Sequence, residues 1–306
     1  MLYGLDIGGT KIEFVAYDKQ KKCLSQQVRT PTNDYDVFKE TLSQLITSAD
    51  KQFNEPGTIG IGLPGFVDPD TDLVYCANVP CLNNRSLAKD LGQYLRRPVK
   101  IENDANCFVL SEATGGSASN YRSAFGIILG TGCGGGFMID GQLHQGSRCL
   151  AGEWGHTPLP FHVYQIAGQD FPIIPCSCGL KGCLDNYLSG RGLATIYNYY
   201  SHHHLTGKEV ISAYYQKDSA AIKSIDVYCE LLACSLSTVI NTVDPDIIVV
   251  GGGLSNFSEL YQRIPPLLEK YTIKSGHIPD FSPASFGSEG GARGAAMLNY
   301  VPNNNE

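Results

Sequence analysis

Apolar positions along the chain fall into short strand-like runs separated by stripes of helical period. Two runs open it. Residues 2–5 read as a buried strand, and residues 12–17, with aromatic and β-branched side chains, read as a second. The join, Asp6-Ile7-Gly8-Gly9-Thr10-Lys11, is too short for a crossover, so the pair forms an antiparallel hairpin. Residues 23–29 predict a third strand. Val37, Phe38, Leu42, Leu45, Ile46 and Ala49 recur at helical spacing behind Asn33-Asp34, which predicts a capped helix over 36–53. Strands follow at 58–61 and 99–102; between them come a short strand-like stretch at 73–77 and a helix capped by Ser86 and running to 97. Another helix begins at Asn103-Asp104-Ala105-Asn106 and ends near 113. This β-β-β-α-β-α-β order predicts a mixed sheet with helices against it.

The Gly- and Ser-rich stretch 115–120 is the expected domain boundary. Beyond it, a strand at 124–129 runs into Gly130-Thr131-Gly132-Cys133-Gly134-Gly135-Gly136. Gly130, Gly132 and Gly135 match the spacing G-x-G-x-x-G of a dinucleotide loop, but such a loop opens a helix. Here Phe137-Met138-Ile139 continue as a strand and Asp140-Gly141 is a hairpin turn, so this is a second glycine hairpin. A long apolar stripe predicts a helix over 218–243. A buried strand at 246–250 ends in Gly251-Gly252-Gly253, with Ser255 or Asn256 capping the next helix. A last helix covers 293–300. The expected organisation is an N-terminal lobe over 1–118, a C-terminal lobe over 119–289, and the segment 290–306 packed back on the first lobe.

Composition narrows the function. The net charge of −7 argues against a nucleic-acid or membrane-surface partner. No apolar run reaches membrane-spanning length. The chain enters its first strand at residue 2, so it shows no signal-type run and no N-terminal DNA-binding segment. Eleven cysteines without an export signal point to reduced thiols in the cytoplasm, or to metal ligands.

Three features carry chemistry. Each glycine hairpin lets backbone amides approach an anion closely. In the first, Asp6 ends a strand while Thr10 and Lys11 sit on the turn, which suits a phosphate chain on the amides and hydroxyl with a divalent cation on the acid. Asp104 lies at a strand's carboxyl end beside a helix N-terminus, where open α/β sheets bind ligands; capping of that helix by Asn103 or Asp104 is the alternative. The third feature is Cys176, Cys178 and Cys183 with His156 twenty residues upstream of the first. Three thiolates and one imidazole close a tetrahedral zinc shell with no open position, so the zinc is structural. It would hold the 161–175 loop and place Glu153 and Asp185 nearby. The Gly252-Gly253 turn can admit a flat base or ribose. His162 and the run 202–204 read as surface.

In this order the motifs Asp6-x-Gly-Gly-Thr-Lys11, Asn103-Asp104, Leu129-Gly-Thr-Gly132, Glu153-x-Gly-His156 and Cys-x-Cys-x4-Cys resemble the ROK family (repressors, open reading frames, kinases), over essentially the whole chain. The resemblance implies an α/β, two-lobed, actin-like (ribonuclease-H-like) ATPase fold with mixed sheets. It implies ATP, with Mg2+, as phosphoryl donor to a hexose or amino sugar in the cleft. It assigns ATP contacts to Gly4, Leu5, Asp6, Ile7, Gly8, Gly9, Thr10 and Lys11, to Gly130 through Gly136 (Thr131, Gly132, Cys133, Gly134 and Gly135 between them), and to Gly252 and Gly253. Asp104 becomes the base. Asn103, Asp104, Glu153 and His156 meet the sugar, and His156 also binds zinc with Cys176, Cys178 and Cys183; read from the residues themselves, Asn78 can pair an acetamido group and the turn ending in Gly65 leaves space for it. Where the family commonly has a Glu on the sugar, this chain has Asp185, one methylene shorter.

The expected reaction is phosphorylation of N-acetyl-D-glucosamine at its 6-hydroxyl. Glucose, mannose and N-acetylmannosamine are alternatives within the class. A non-catalytic sugar sensor is an alternative outside it, and an actin-like filament ATPase would leave the zinc knuckle unexplained. The expected partners are the sugar and ATP, with no nucleic acid and no membrane; homodimer formation is left open.

Overall fold

The computed structural model describes residues 1–76, 78–274 and 276–301. They form two compact units. The first comprises Met1–Ser119, Leu143–Ala151 and the chain from Ser288 onward; the second comprises Asn120–Gln142 and Gly152–Gly287. The segment Leu143–Ala151, expected in the second lobe, thus belongs to the first unit.

In the first unit, β1 (Leu2–Ile7), β2 (Lys11–Asp18) and β3 (Lys21–Arg29) form an antiparallel meander. Helix α1 (Tyr35–Phe53) starts where Asp34 accepts hydrogen bonds from the N–H groups of Asp36 and Val37, and it buries Phe38, Leu42 and Ile46. Strand β4 (Thr58–Leu63) pairs parallel to β1. A separate ribbon, β5 (Gly65–Val67) with β6 (Val74–Cys76), follows. The sequence pattern missed β5, because three residues are too few to show a period. Ala77, the expected end of β6, lies outside the described residues, as do positions 302–306 of the C-terminal segment. Helix α2 (Leu87–Leu95) has Ser86 at its cap position, but the hydroxyl makes no capping hydrogen bond. Strand β7 (Val99–Asn103) pairs parallel to β4 and runs directly into α3 (Asp104–Ala113). The sheet order is β3-β2-β1-β4-β7.

The second unit repeats that plan. Strand β8 (Ala124–Leu129) turns into β9 (Cys133–Ile139) and then β10 (Gln142–Leu143). Short α4 (Val163–Ile166) and α5 (Asp185–Leu188) precede α6 (Gly190–Ser201), α7 (Gly207–Tyr215) and the long, buried α8 (Ser219–Val243), which Asp218 caps. Strand β11 (Ile247–Gly251) pairs parallel to β8; α9 (Glu259–Tyr271) and β12 (Asp280–Pro283) complete the unit, with sheet order β10-β9-β8-β11-β12. Two expectations change. Strand β9 begins at Cys133, so Gly134, Gly135 and Gly136 lie inside the ladder. A Cβ on Gly135 would stand 2.6 Å from the Trp154 ring and 2.8 Å from that of Phe125, so this glycine is dictated by packing. The expected cap at Ser255 or Asn256 is a 3-10 turn (Gly253–Asn256) instead, in which the Ser255 hydroxyl donates to the Gly252 carbonyl.

Helix α10 (Gly290–Met297) returns to the first unit. It approaches β1, β4 and α3 at backbone distance. A Cβ on Gly4 would lie 2.0 Å from the Ala292 carbonyl oxygen, one on Gly60 1.9 Å from that of Ala295, and one on Gly294 1.7 Å from that of Cys107. Buried Arg293 fixes the depth, donating to the carbonyls of Ser111 and Thr114 at the end of α3. Gly60→Ala should therefore force the helix outward and cost about 1–3 kcal/mol or more, the usual penalty of overpacking. Urea unfolding followed by circular dichroism checks this; an unchanged midpoint would contradict the close approach.

Candidate active site

The first hairpin is a tight turn closed by the Gly8 N–H donating to the Lys11 carbonyl. Thr30, just past β3, grips it from the side: its hydroxyl donates to Gly8 O at 2.6 Å and its N–H to Thr10 O at 3.1 Å. Gly9 faces the Asn78 backbone, whose oxygen would sit 3.0 Å from a Cβ there. What the hairpin presents outward is Gly8 to Lys11. Gly4 is covered by α10, and Leu5 and Ile7 are fully buried core, so these three expected nucleotide contacts offer no side of themselves to a ligand. Asp6 closes the strand. Burial pushes its carboxyl up to about 6, the Glu13 carboxylate adds to the rise and Lys11 opposes it. Gly291, at the start of α10, stands where any side chain would strike the Asp6 carboxylate.

Asp104 is the first residue of α3, at the carboxyl end of β7. Asn103 performs the capping that the sequence left open: its Oδ1 accepts from the N–H groups of Ala105 and Asn106, while its Nδ2 donates to the Gly65 carbonyl at 3.1 Å. Gly65 pairs so closely with β6 that a Cβ would lie 2.0 Å from the Tyr75 oxygen. Thus Gly65, Asn103 and Asp104 are brought together. Sequence reasoning missed the buried Glu102 beneath them. It accepts from the Asn103 N–H at 2.8 Å, from Asn106 Nδ2 at 3.0 Å and from Gln145 Nε2. The strand reads Val-Lys-Ile-Glu-Asn, so its alternation gave no sign that Glu102 is the buried charge.

In the second unit, the turn at Gly130, Thr131 and Gly132 is backed by glycines from three elements. The Gly190 N–H donates to Gly130 O at 2.7 Å. A Cβ on Gly252, whose φ is +81°, would lie 2.5 Å from the Leu129 carbonyl carbon, and one on Gly207 2.4 Å from Gly190 O. Gly130, Gly190, Gly207 and Gly253 floor a cavity of about 460 Å3. Its walls include Lys208, Ile211, Tyr215, Asn256 and Phe257, of which the sequence singled out only Asn256, as a helix cap. The Cys133 N–H is taken by Asp185 Oδ1 at 2.7 Å, and Asp185 faces Arg191 at 3.4 Å.

The zinc-type residues also converge. The ligand atoms of His156, Cys176, Cys178 and Cys183 lie within 4.8 Å of one another. Cys176 Sγ is 3.6 Å from His156 Nδ1, and Cys178 Sγ is 3.6 Å from Cys183 Sγ. A tetrahedron with bonds of about 2.0–2.3 Å has edges of roughly 3.3–3.8 Å, so the set fits a zinc-sized ion. His156 Nε2 points the other way, 3.8 Å from Glu153. Burial raises the Glu153 carboxyl, with His156 opposing.

The Asp6 shift has a sign that can be tested without ligand. Its folded value of about 6 exceeds the unfolded value of about 3.9, so the native state holds the proton more tightly. The resulting stability is full below about pH 4 and lost as pH rises through 6. Asp6→Asn should therefore gain stability relative to wild type between about pH 4 and 7. Urea midpoints of nucleotide-free protein across that range check it; a difference independent of pH would contradict the enclosure of Asp6.

Comparison with known proteins agrees with this geometry. The ROK family model matches residues 2–300. The chain is similar to the N-acetyl-D-glucosamine kinase of Histophilus somni (strain 129Pt), 43% identical over 300 residues covering 97% of this chain and 98% of the relative. It is equally similar to that of Haemophilus influenzae (strain 86-028NP), also 43% identical, covering 97% and 99%. Among solved structures it resembles the ROK hexokinase of Thermus thermophilus, with TM-score 0.86, 27% identity and coverage of 98% and 97%. It also resembles a ROK glucokinase from Streptomyces griseus in complex with glucose and AMPPNP, with TM-score 0.77, 25% identity and coverage of 97% and 98%. The fold is the actin-like, ribonuclease-H-like one that the motifs implied. From the first strand to the end of α10, the chain belongs to the ROK family.

Proposed function

We propose that this chain is an ATP-dependent sugar kinase that transfers the γ-phosphoryl group of ATP to the 6-hydroxyl of N-acetyl-D-glucosamine, giving N-acetyl-D-glucosamine 6-phosphate and ADP. The observation that carries the reading is Asp104 at the head of α3, in a unit that also presents an outward-facing glycine hairpin. The sugar follows from identity: 43% to N-acetyl-D-glucosamine kinases over nearly full length, against 25–27% to the hexokinase and glucokinase.

Phosphoryl transfer asks for charge neutralisation and in-line positioning more than covalent help. Asp104 orients the 6-hydroxyl and accepts its proton as the bond to phosphorus forms. The Gly65 carbonyl, held by Asn103, supports that corner, and Asn78 beside Gly9 places a polar group next to the phosphate turn. Glu153 and His156 contact the sugar hydroxyls; were zinc held by His156 Nδ1 and the three thiolates, Nε2–H would remain as the donor. The turns at Gly8 to Lys11 and at Gly130 to Gly132 hold phosphate, and the cavity behind Gly252 and Gly253 takes the base and ribose. Mg2+, on the Asp6 side, would neutralise phosphate charge. The zinc shell is structural. Among the described residues no helix is long and apolar enough to cross a membrane, and the eleven unpaired thiols favour the cytoplasm.

Asp104→Asn should keep the fold and sugar binding and lower turnover by about 10²–10⁴, the usual contribution of a positioned acid or base. Near-normal ADP release by that variant would remove Asp104 from the role of base. Metal analysis of untagged protein should find about one zinc per chain, lost in Cys178→Ser together with sugar affinity. Full activity in metal-free protein would refute the shell.

A further inference from the structure

We propose that Asp185 and Arg191 are positioning residues of the second glycine hairpin, so that in this chain Asp185 serves the nucleotide side of the site and not the sugar. The proposal rests on the kinase reading above and adds a role that the sequence had placed elsewhere.

The segment from Asp185 to Arg191 touches four consecutive hairpin residues. The Gly190 N–H donates to Gly130 O at 2.7 Å. Arg191 Nε donates to Thr131 O at 2.7 Å. Asp185 Oδ1 lies against Gly132, 2.8 Å from where a Cβ would be, and accepts from the Cys133 N–H at 2.7 Å. The second carboxylate oxygen faces Arg191 Nη2 at 3.4 Å. The Asp185 side chain is 13% exposed and both its oxygens are engaged, which leaves little of it for a sugar hydroxyl. The segment itself is stiff: Ser189 Oγ donates to the Asp185 carbonyl and accepts from the Gly192 N–H.

The chemistry is that of a fixed turn. Cys133 is buried, so without Asp185 its N–H would be left without an acceptor. A turn that changes shape no longer aims its amides at phosphate, and nucleotide affinity falls while the sugar contacts stay. The shorter side chain fits this task, since its carboxylate stops at the backbone of Gly132 and Cys133.

Calorimetric titration of the full-length protein with MgADP, and separately with N-acetyl-D-glucosamine, tests the assignment. Asp185→Ala should weaken MgADP binding by about five- to hundredfold, the effect of stranding one buried N–H. Asp185→Asn, which restores an acceptor, should recover most of that loss. Arg191→Ala, at an exposed side chain, should weaken MgADP on its own and decides the matter should Asp185→Ala fail to fold. Sugar affinity should change little in all three. Weakened sugar binding with unchanged MgADP binding would overturn the proposal and return Asp185 to the sugar; equal losses in both, or none in either, would also overturn it. Wild-type protein that binds no MgADP would sink the kinase reading, and this proposal with it.

Discussion

The site depends on backbone meeting backbone at distances that no Cβ would allow. In the first unit, α10 sits so deep on β1 and β4 that Gly4 and Gly60 lie against its carbonyls, and its Gly291 leaves room for the Asp6 carboxylate. In the second, Gly190 and Gly252 close behind Gly130, and Gly130, Gly190, Gly207 and Gly253 floor the cavity. The same omission of side chains therefore packs each unit and shapes its ligand-facing turn. Glycine here costs conformational entropy in the unfolded chain, and the close packing it permits offsets that cost.

The two hairpins are braced by different means. Thr30 pins the first through one hydroxyl and one N–H, both from a residue that follows β3 in sequence. The second is braced from more than fifty residues away, by a segment that starts two residues past Cys183. Cys183 belongs to the zinc-type cluster, and Leu184 donates its N–H to Thr157, next to His156. The Cys3His cluster, the Asp185 contacts and the hairpin turn thus form one continuous run of contacts within the second unit. On the proposed reading, a metal held by the cluster would fix the segment that braces the turn.

Much of this was legible in the sequence, for identifiable reasons. The opening hairpin, α1 and β7 running into α3 follow from period, turn length and capping chemistry, which are local. The Cys3His set was readable because metal ligands keep strict types and spacing. What was not legible depends on tertiary neighbours. Gly134 to Gly136 looked like a ligand cradle, but Trp154 and Phe125 crowd Gly135 and the run is strand. Nothing in the sequence paired Asp185 with the second hairpin, and only the fold reveals that it accepts from the Cys133 N–H. Glu102 lies buried under the head of α3 and takes one partner, Gln145, from 43 residues along the chain, and the walls of the cavity come from α7 and the turn after β11, which share no pattern.

The central claim is that the chain phosphorylates an amino sugar that carries an acetamido group. It is tested most directly by coupled ADP release over a panel of hexoses and N-acetyl amino sugars, with the product identified by NMR. A pocket built to pair an acetamido group leaves its own polar atoms unpaired when glucose is bound, at about 1–3 kcal/mol per buried group. The account predicts a kcat/KM for N-acetyl-D-glucosamine roughly 10- to 100-fold above that for glucose, with the phosphate on the 6-oxygen. A ratio below one, or ADP release with none of the sugars, would contradict it.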